Sequence, residues 1–480
     1  MNSIVIIGGG FSGTITAINL ARLSSTPLQI SIIDKTQGAC RGIAYNTRNA
    51  SHLLNVVARN MSALADQPNH FVEWLGTRSE YIDEPTILLK ERFVPRRVYG
   101  EYLHSLFQFY SGILCEEKEM RFEMIHDEAK DVVIENHKAS VTLANGRVIE
   151  ADKVVLALGN QTPTPFRLRG LDAASPRNIG DPWRGWEEKL PAKDQDLLLI
   201  GTGLTMVDAF LTLKDLGWRG KIFALSRNGL LPLSHFKGFE YPDLVDDKTA
   251  LSSFRELVAI FKKHYRAAKA RKINPAILVD KLRPYTQRIW QNFSLAEKKQ
   301  FNRHFRTRWN VMRHRIAPEI HQQLQEAIAQ GRLEVIKGRL RECQETKDKL
   351  SIHFESNGVK RMIEVGAVVN CTGPKESYLP SDSSVLNNLC TSGLIQPDEM
   401  NMGIKVMPNF SVIDREGHNS QILFAMGSIM KGTLWETLAV PELRSQAFRL
   451  AETISSQLAE NIAKKRTISE AVESVMEYSI

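Results

Sequence analysis

Three glycines, Gly8, Gly10 and Gly13, follow four β-branched residues, Ile4, Val5, Ile6 and Ile7, and an aspartate, Asp34, stands twenty-one residues after the last glycine. This order of residue types suits one task, holding the pyrophosphate of a dinucleotide. The first glycine permits a tight bend after a strand, the second lets backbone approach the phosphates, and the third lets the next helix lie close to the strand. That helix then aims free N–H groups and the positive end of its dipole at the anion. Asp34, at the end of a second apolar run (Leu28 to Ile33), can accept hydrogen bonds from an adenosine ribose and would repel a 2′-phosphate. The ligand implied here is FAD or NAD rather than NADP.

A second turn of the same kind follows Leu197–Ile200, with Gly201, Gly203, Leu204 and Thr205 in place, but its third position is Met206. The larger residue predicts a slightly wider contact between helix and strand. The next strand, Ile222 to Leu225, ends in Ser226 and Arg227. A hydroxyl and a guanidinium replace the acid of the first site, and they suit a 2′-phosphate, so the second ligand reads as NADPH.

The elements that must position these residues are legible around them. Leu156 to Asn160 and Asn370 to Pro374 each close a buried strand with a glycine, Gly159 and Gly373, and each follows an alternating stretch that reads as antiparallel strands. The arrangement therefore occurs twice. The fold class expected is α/β, with two Rossmann-like dinucleotide-binding domains and a helical insertion. Asp66 to Trp74 reads as the beginning of a helix. Tyr102 to Tyr110 reads as amphipathic, and Arg96 and Arg97 before it as a solvated helix end.

A chain of 480 residues, 43% hydrophobic and 24% charged, is ordinary for a soluble globular protein of two or three domains. No apolar run approaches the roughly 18 residues that cross a bilayer, and no basic segment precedes the first strand, so no membrane association and a cytoplasmic location are expected. Five scattered cysteines without a C-x-x-C pair argue against a disulfide framework and against a dithiol relay.

The stretches G-G-G-F-S-G, R-G-I-A-Y-N-T, H-L-L-N-V, G-T-G-L-T-M-V-D and S-I-M-K-G-T-L-W-E-T resemble those of the bacterial FAD/NAD(P)-binding protein family, two-dinucleotide flavoproteins similar to class B flavin monooxygenases and amino-acid N-hydroxylases. The resemblance covers nearly the whole chain. It implies a glutathione-reductase-like arrangement: an FAD domain in residues 1–160, an NADPH domain in 161–373 and a return segment of the FAD domain in 374–480. It places FAD on Gly8, Gly10, Ser12, Gly13 and Asp34, with Gly159, Gly427 and Ser428 nearby. Ser428 stands where relatives carry an acid. Arg41, Gly42, Tyr45 and Asn55 can contact a ribityl chain or phosphate, or belong to a surface loop. The reaction implied is monooxygenation of a small amine or amino acid with molecular oxygen; an NADPH:acceptor reductase and a flavin-binding sensor are the other readings.

Residues 246–331 read as a helical insertion, in which Ser294 and Glu297 form a capping box. Phe254 to Arg315 holds seventeen Lys and Arg against three acids, so the net charge of +8 is local to this segment. Three readings compete: a solvated basic face, a grip on an anionic substrate by Arg313, His314 and Arg315, and a nucleic-acid surface using the interleaved aromatics. A helical core needs the same aromatic spacing, and a nucleic-acid partner is not expected. Trp435 and Leu434 can wall the flavin ring or simply pack, and Glu436 and His235 are candidates for proton transfer.

Overall fold

The computed structural model describes residues 1–36, 40–236 and 240–477, the stretch from 461 onward as backbone only. The apolar run Asn2–Ile7 forms a strand buried on both faces at the centre of a six-stranded sheet. The order across that sheet is Ser411–Ile413, Asn419–Ala425, Lys153–Leu156, Asn2–Ile7, Leu28–Ile33 and Arg121–Ile125. Five strands are parallel, and only Ser411–Ile413 runs antiparallel to its neighbour. Ile4 sits opposite Ile30 on one side and Lys153 on the other. Such a register requires crossover connections, and helix Phe11–Leu23 supplies the first. Helices Arg96–Glu117 and Val440–Glu477 pack against it. The helix expected to begin within Asp66–Trp74 is His70–Gly76.

The second sheet is all parallel, in the order Leu333–Lys337, Ile222–Ser226, Leu197–Ile200, Ala367–Asn370 and Asn178–Ile179. Its five strands come from the middle of the chain, whereas the first sheet draws strands from both ends. Each sheet is accompanied by a three-stranded antiparallel one: Ala129–Glu135, Lys138–Leu143 and Val148–Ala151, and later Arg339–Glu345, Leu350–Ser356 and Val359–Val365. The expected α/β fold with two Rossmann-like units and a helical insertion is thus the observed one.

The insertion contains helices Phe254–Ala270, Ile277–Leu282, Thr286–Asn292, Leu295–His304 and Arg306–Arg313. The capping box at Ser294 and Glu297 is present, and a second one, Ser253 with Glu256, starts the first of these helices. Glu297 also accepts from the Phe254 amide at 2.8 Å, which fastens one helix start to the other. Phe254, Trp290, Phe293, Met402 and Trp435 form a buried cluster, with Phe301, Phe305 and Trp309 against it. These aromatics face inward, as a helical core requires. Arg255, Lys262, Lys263, Arg266 and Lys269 stay exposed on the outer face. Among the described residues no helix is long and apolar enough to cross a membrane.

Candidate functional site

At the first turn the glycines have distinct roles. Gly8 has φ +113°, and a Cβ there would lie 2.2 Å from the Ala157 carbonyl oxygen. A Cβ on Gly13 would lie 1.9 Å from the Gly8 carbonyl oxygen. Both are needed by the protein itself. Gly10 is different: its nearest neighbour would be the Cα of Gly42, at 3.5 Å. It caps helix Phe11–Leu23 in an extended conformation without a side-chain cap. The N–H groups of Phe11 and Ser12 find no acceptor among the described residues, leaving donors for an anion. Asp34 takes the Gly9 amide at 2.6 Å with one oxygen and the Thr36 amide and hydroxyl at 2.7 and 2.6 Å with the other. The oxygen that takes the Gly9 amide keeps a lone pair for a ribose hydroxyl.

Other candidates gather here. Helical turn Gly42–Tyr45 brings Gly42, at φ +57°, beside Gly10, with Arg41 preceding it. Gly100 lets that turn lie on helix Arg96–Glu117, since a Cβ there would meet the Tyr45 carbonyl oxygen at 2.4 Å. Gly427, at φ +86°, ends the strand Asn419–Ala425 with Ser12 Oγ 2.9 Å from where its Cβ would stand. The Tyr378 hydroxyl donates to the Gly159 carbonyl at 2.8 Å and accepts from Ser428, also at 2.8 Å. Hence Gly10, Ser12, Gly42, Gly427, Ser428 and Gly159 surround one region. The cradle at Gly10, the free helix amides and Asp34 fit a dinucleotide.

The second turn repeats the geometry. Gly201 has φ +111°, and a Cβ there would lie 2.4 Å from the Cys371 carbonyl oxygen; around Gly203 nothing stands within 4 Å. Gly203 caps helix Leu204–Asp215 without a side-chain cap, and the amides of Leu204 and Thr205 have no acceptor among the described residues. Met206 is fully buried in the core under this helix. The Ser226 hydroxyl accepts from the Gly229 amide at 3.0 Å and pairs with Thr202 at 2.9 Å, while Thr202 donates to the Leu230 carbonyl at 2.6 Å. Ser226 therefore has no hydrogen left for a phosphate, and Arg227 is exposed.

The arginines offered for an anionic substrate are placed otherwise. Arg313 pairs with Glu436 at 3.2 Å and Glu442 at 3.5 Å, and Arg315 holds both oxygens of Asp280 at 2.8 and 2.9 Å. Each guanidinium thus has a carboxylate counter-charge, while Arg313 Nε and Arg315 Nε and Nη1 have no hydrogen-bond partner among the described residues. His314, pushed down to about 3 by burial and then by Arg313, Lys431 and Arg283, is neutral. His235 donates its Nε2 hydrogen to the Asn55 carbonyl at 2.7 Å; burial, then Arg315, push it down to about 4. It fastens the Asn55 loop. Trp435 packs in the aromatic cluster, its ring 4.6 Å from that of Trp290 and tilted 31° to it. Beside it stands Lys431, which the motif reading passed over: its Nζ lies 5.5 Å from the Trp435 ring, and burial, then Arg306, push it down to about 8. It makes no ion pair within 4.0 Å among the described residues.

Arg96 is a correction of another kind. Its side chain is only 11% exposed where a solvated end was expected, and it pairs with Asp208 at 2.8 Å. Sequence spacing gave no signal for this, since the partner lies 112 residues away.

Residues 5–161 match the family model described as FAD-NAD(P)-binding. No curated protein matches the sequence. The fold matches that of the ornithine N-hydroxylase of Kutzneria sp. 744, solved with reduced FAD, NADP+ and L-ornithine, at TM-score 0.64 and 14% identity over 95% of this chain and 99% of that one. L-lysine 6-monooxygenase from Pseudomonas syringae gives 0.62 and 16% over 95% and 100%. The bacillithiol disulfide reductase of Bacillus cereus gives 0.52 and 16% over 95% and 99%. The first part of this chain thus matches an FAD-NAD(P)-binding model, and the chain shares its fold with these solved proteins.

Proposed function

We propose that this protein is an FAD-dependent, NADPH-using oxidoreductase, a monooxygenase of the N-hydroxylase type that acts on a small amine or amino acid. The observation that carries it is the pair of open glycine turns, at Gly10 and Gly203, each backed by helix amides without acceptors, one ending in Asp34 and the other in Arg227. FAD, when bound, accepts a hydride from NADPH and hands the electrons on. The chain's own part is to hold both molecules, through the amides of Phe11, Ser12, Leu204 and Thr205, and to exclude water from where they meet.

The thiols favour oxygen over a disulfide as acceptor. All five cysteines are free. Burial pushes Cys40 and Cys343 up to about 11 and Cys371 further still, so these are unreactive thiols. The higher TM-scores of the two amino-acid hydroxylases than of the disulfide reductase support the same reading.

The test is anaerobic reduction of the flavin-loaded protein by NADPH, then mixing with oxygenated buffer, with and without L-ornithine, L-lysine or cadaverine. The expected record is reduction by NADPH and an oxygen reaction whose product is a hydroxylated amine for at least one probe. Stoichiometric hydrogen peroxide with every amine, together with fast turnover of an added quinone, would assign a reductase instead. Replacing Arg227 by alanine is expected to raise the KM for NADPH about 10- to 100-fold, the worth of a charged hydrogen bond of roughly 1.5–3 kcal/mol, and to leave that for NADH nearly unchanged. Equal changes for both would remove the 2′-phosphate assignment.

A further inference from the structure

A largely buried polar seam joins the two dinucleotide units, and among the described residues none of its hydrogen bonds goes to either glycine turn. Arg96 donates to Asp208 at 2.8 Å, their side chains only 11% and 7% exposed. The Arg96 Nε also donates to the Leu53 carbonyl at 2.9 Å, and its amide to the His52 carbonyl at 2.8 Å. His52 donates from Nε2 toward the Asp208 carbonyl and Thr212 Oγ1, both at 3.0 Å, and accepts at Nδ1 from Thr47 at 2.9 Å. Further along the same loop, the Asn55 carbonyl is held by His235.

Asp208 and Thr212 lie on the helix Leu204–Asp215, whose first amides face the second dinucleotide. Thr47, His52 and Asn55 lie on the loop that continues from the turn Gly42–Tyr45, which stands against Gly10 of the first. A line of hydrogen bonds, carried on by this loop and this helix, therefore runs between the two turns. An ion pair this deeply buried adds little net stability, because desolvation offsets its attraction; what it fixes well is geometry. An apolar contact would tolerate sliding, whereas these bonds have defined directions.

We infer that Arg96, Asp208 and His52 are positioning residues that set the approach of the nicotinamide to the flavin. The inference rests on the reading that both molecules bind this protein. A shift of about 1 Å between the two units is enough to cost about a hundredfold in the rate of a step that needs close approach.

Asp208→Asn removes the charge and keeps the shape, and Thr212→Val removes one bond of the seam. Arg96→Met with Asp208→Leu replaces the pair by apolar groups that keep the buried contact filled. The expected result is a limiting rate of anaerobic flavin reduction, at saturating NADPH, that falls at least tenfold in Asp208→Asn and in the double variant, with flavin content and the Kd for NADP+ near parental. Hydrogen exchange of the apoprotein should rise together in residues 45–55 and 204–215 and stay unchanged in the antiparallel sheet of residues 129–151. A parental limiting rate in Asp208→Asn or in the double variant, with flavin retained, overturns the inference. A rate that falls only in step with flavin or fold also overturns it, since the seam would then be glue alone. A parent protein that NADPH does not reduce sinks the proposed function instead. In that event unchanged exchange in the two segments still rejects the joint, and coupled exchange keeps it.

Discussion

Gly10→Ala is expected to give a folded protein that purifies without flavin, while Gly13→Ala gives little folded protein at all. The two glycines belong to one motif, yet the space around them differs. At Gly13 a methyl group would stand 1.9 Å from a backbone oxygen and 3.1 Å from Ile6 Cγ2, and neither can retreat without parting helix from strand. At Gly10 the same methyl meets only Gly42, at van der Waals distance, and the residue's φ of −78° suits alanine. What the methyl would occupy is the space the pyrophosphate needs. The absorbance of bound flavin per mole of protein should fall at least tenfold in Gly10→Ala, and its melting temperature should match that of the parent stripped of flavin. Full flavin content in Gly10→Ala would contradict the first site. Gly203→Ala is the counterpart at the second turn, and there the loss is of NADPH with flavin retained.

The contrast shows which parts of the molecule could be read from the chain. Strand, glycine turn, helix and terminal acid or arginine are encoded within about thirty consecutive residues, so both turns, both central strands and the pairing of Asp34 with the first turn were legible. Met206 was legible as a departure, and its burial in the helix core is what a larger residue at that place must find. The partners of buried charges were not legible. Arg313 and Arg315 read along the chain as surplus cations, yet Glu436 and Glu442 come from a distant segment and Asp280 stands 35 residues before Arg315, on the helix Ile277–Leu282. Arg96 begins a helix, and local periodicity sees only a polar residue at a polar end. Its burial is decided by Asp208 on the second unit, and no periodicity along one segment encodes a contact between units. Ser226 is a third case. A hydroxyl at the end of a strand reads as a phosphate donor, but the loop behind it uses that hydroxyl to hold Gly229 and Thr202 in place.

The same burial that hides these partners makes the fold sensitive to acid, and the expected loss begins near pH 6.5. His235 is held at about 4 and His314 at about 3, chiefly by burial and then by neighbouring arginines; burial also lowers His52 and His70. A depressed pKa in the folded state means that above about 6.5 both folded and unfolded chains carry the neutral ring, and stability is at its full value. Below 6.5 the unfolded chain binds a proton that the folded one refuses, so unfolding becomes easier as pH falls. For His235 the loss accumulates down to about pH 4 and then levels off; for His314 it continues to about 3. Between pH 7 and 5 each of these two histidines contributes a loss of about 2 kcal/mol, from roughly 1.4 kcal/mol per pH unit below its unfolded pKa. The measurement is the urea midpoint of the flavin-free protein at pH 7 and pH 5, for the parent and for His235→Gln and His314→Gln. Glutamine cannot titrate, and at position 235 its amide can still donate to the Asn55 carbonyl. Each variant should be less stable than the parent at pH 7 by the packing it loses, but its own fall between pH 7 and 5 should be shallower by the contribution of the missing ring. A parent whose midpoint stays level over that interval would mean that both rings take up protons in place, and His235 would then return as a candidate for proton transfer.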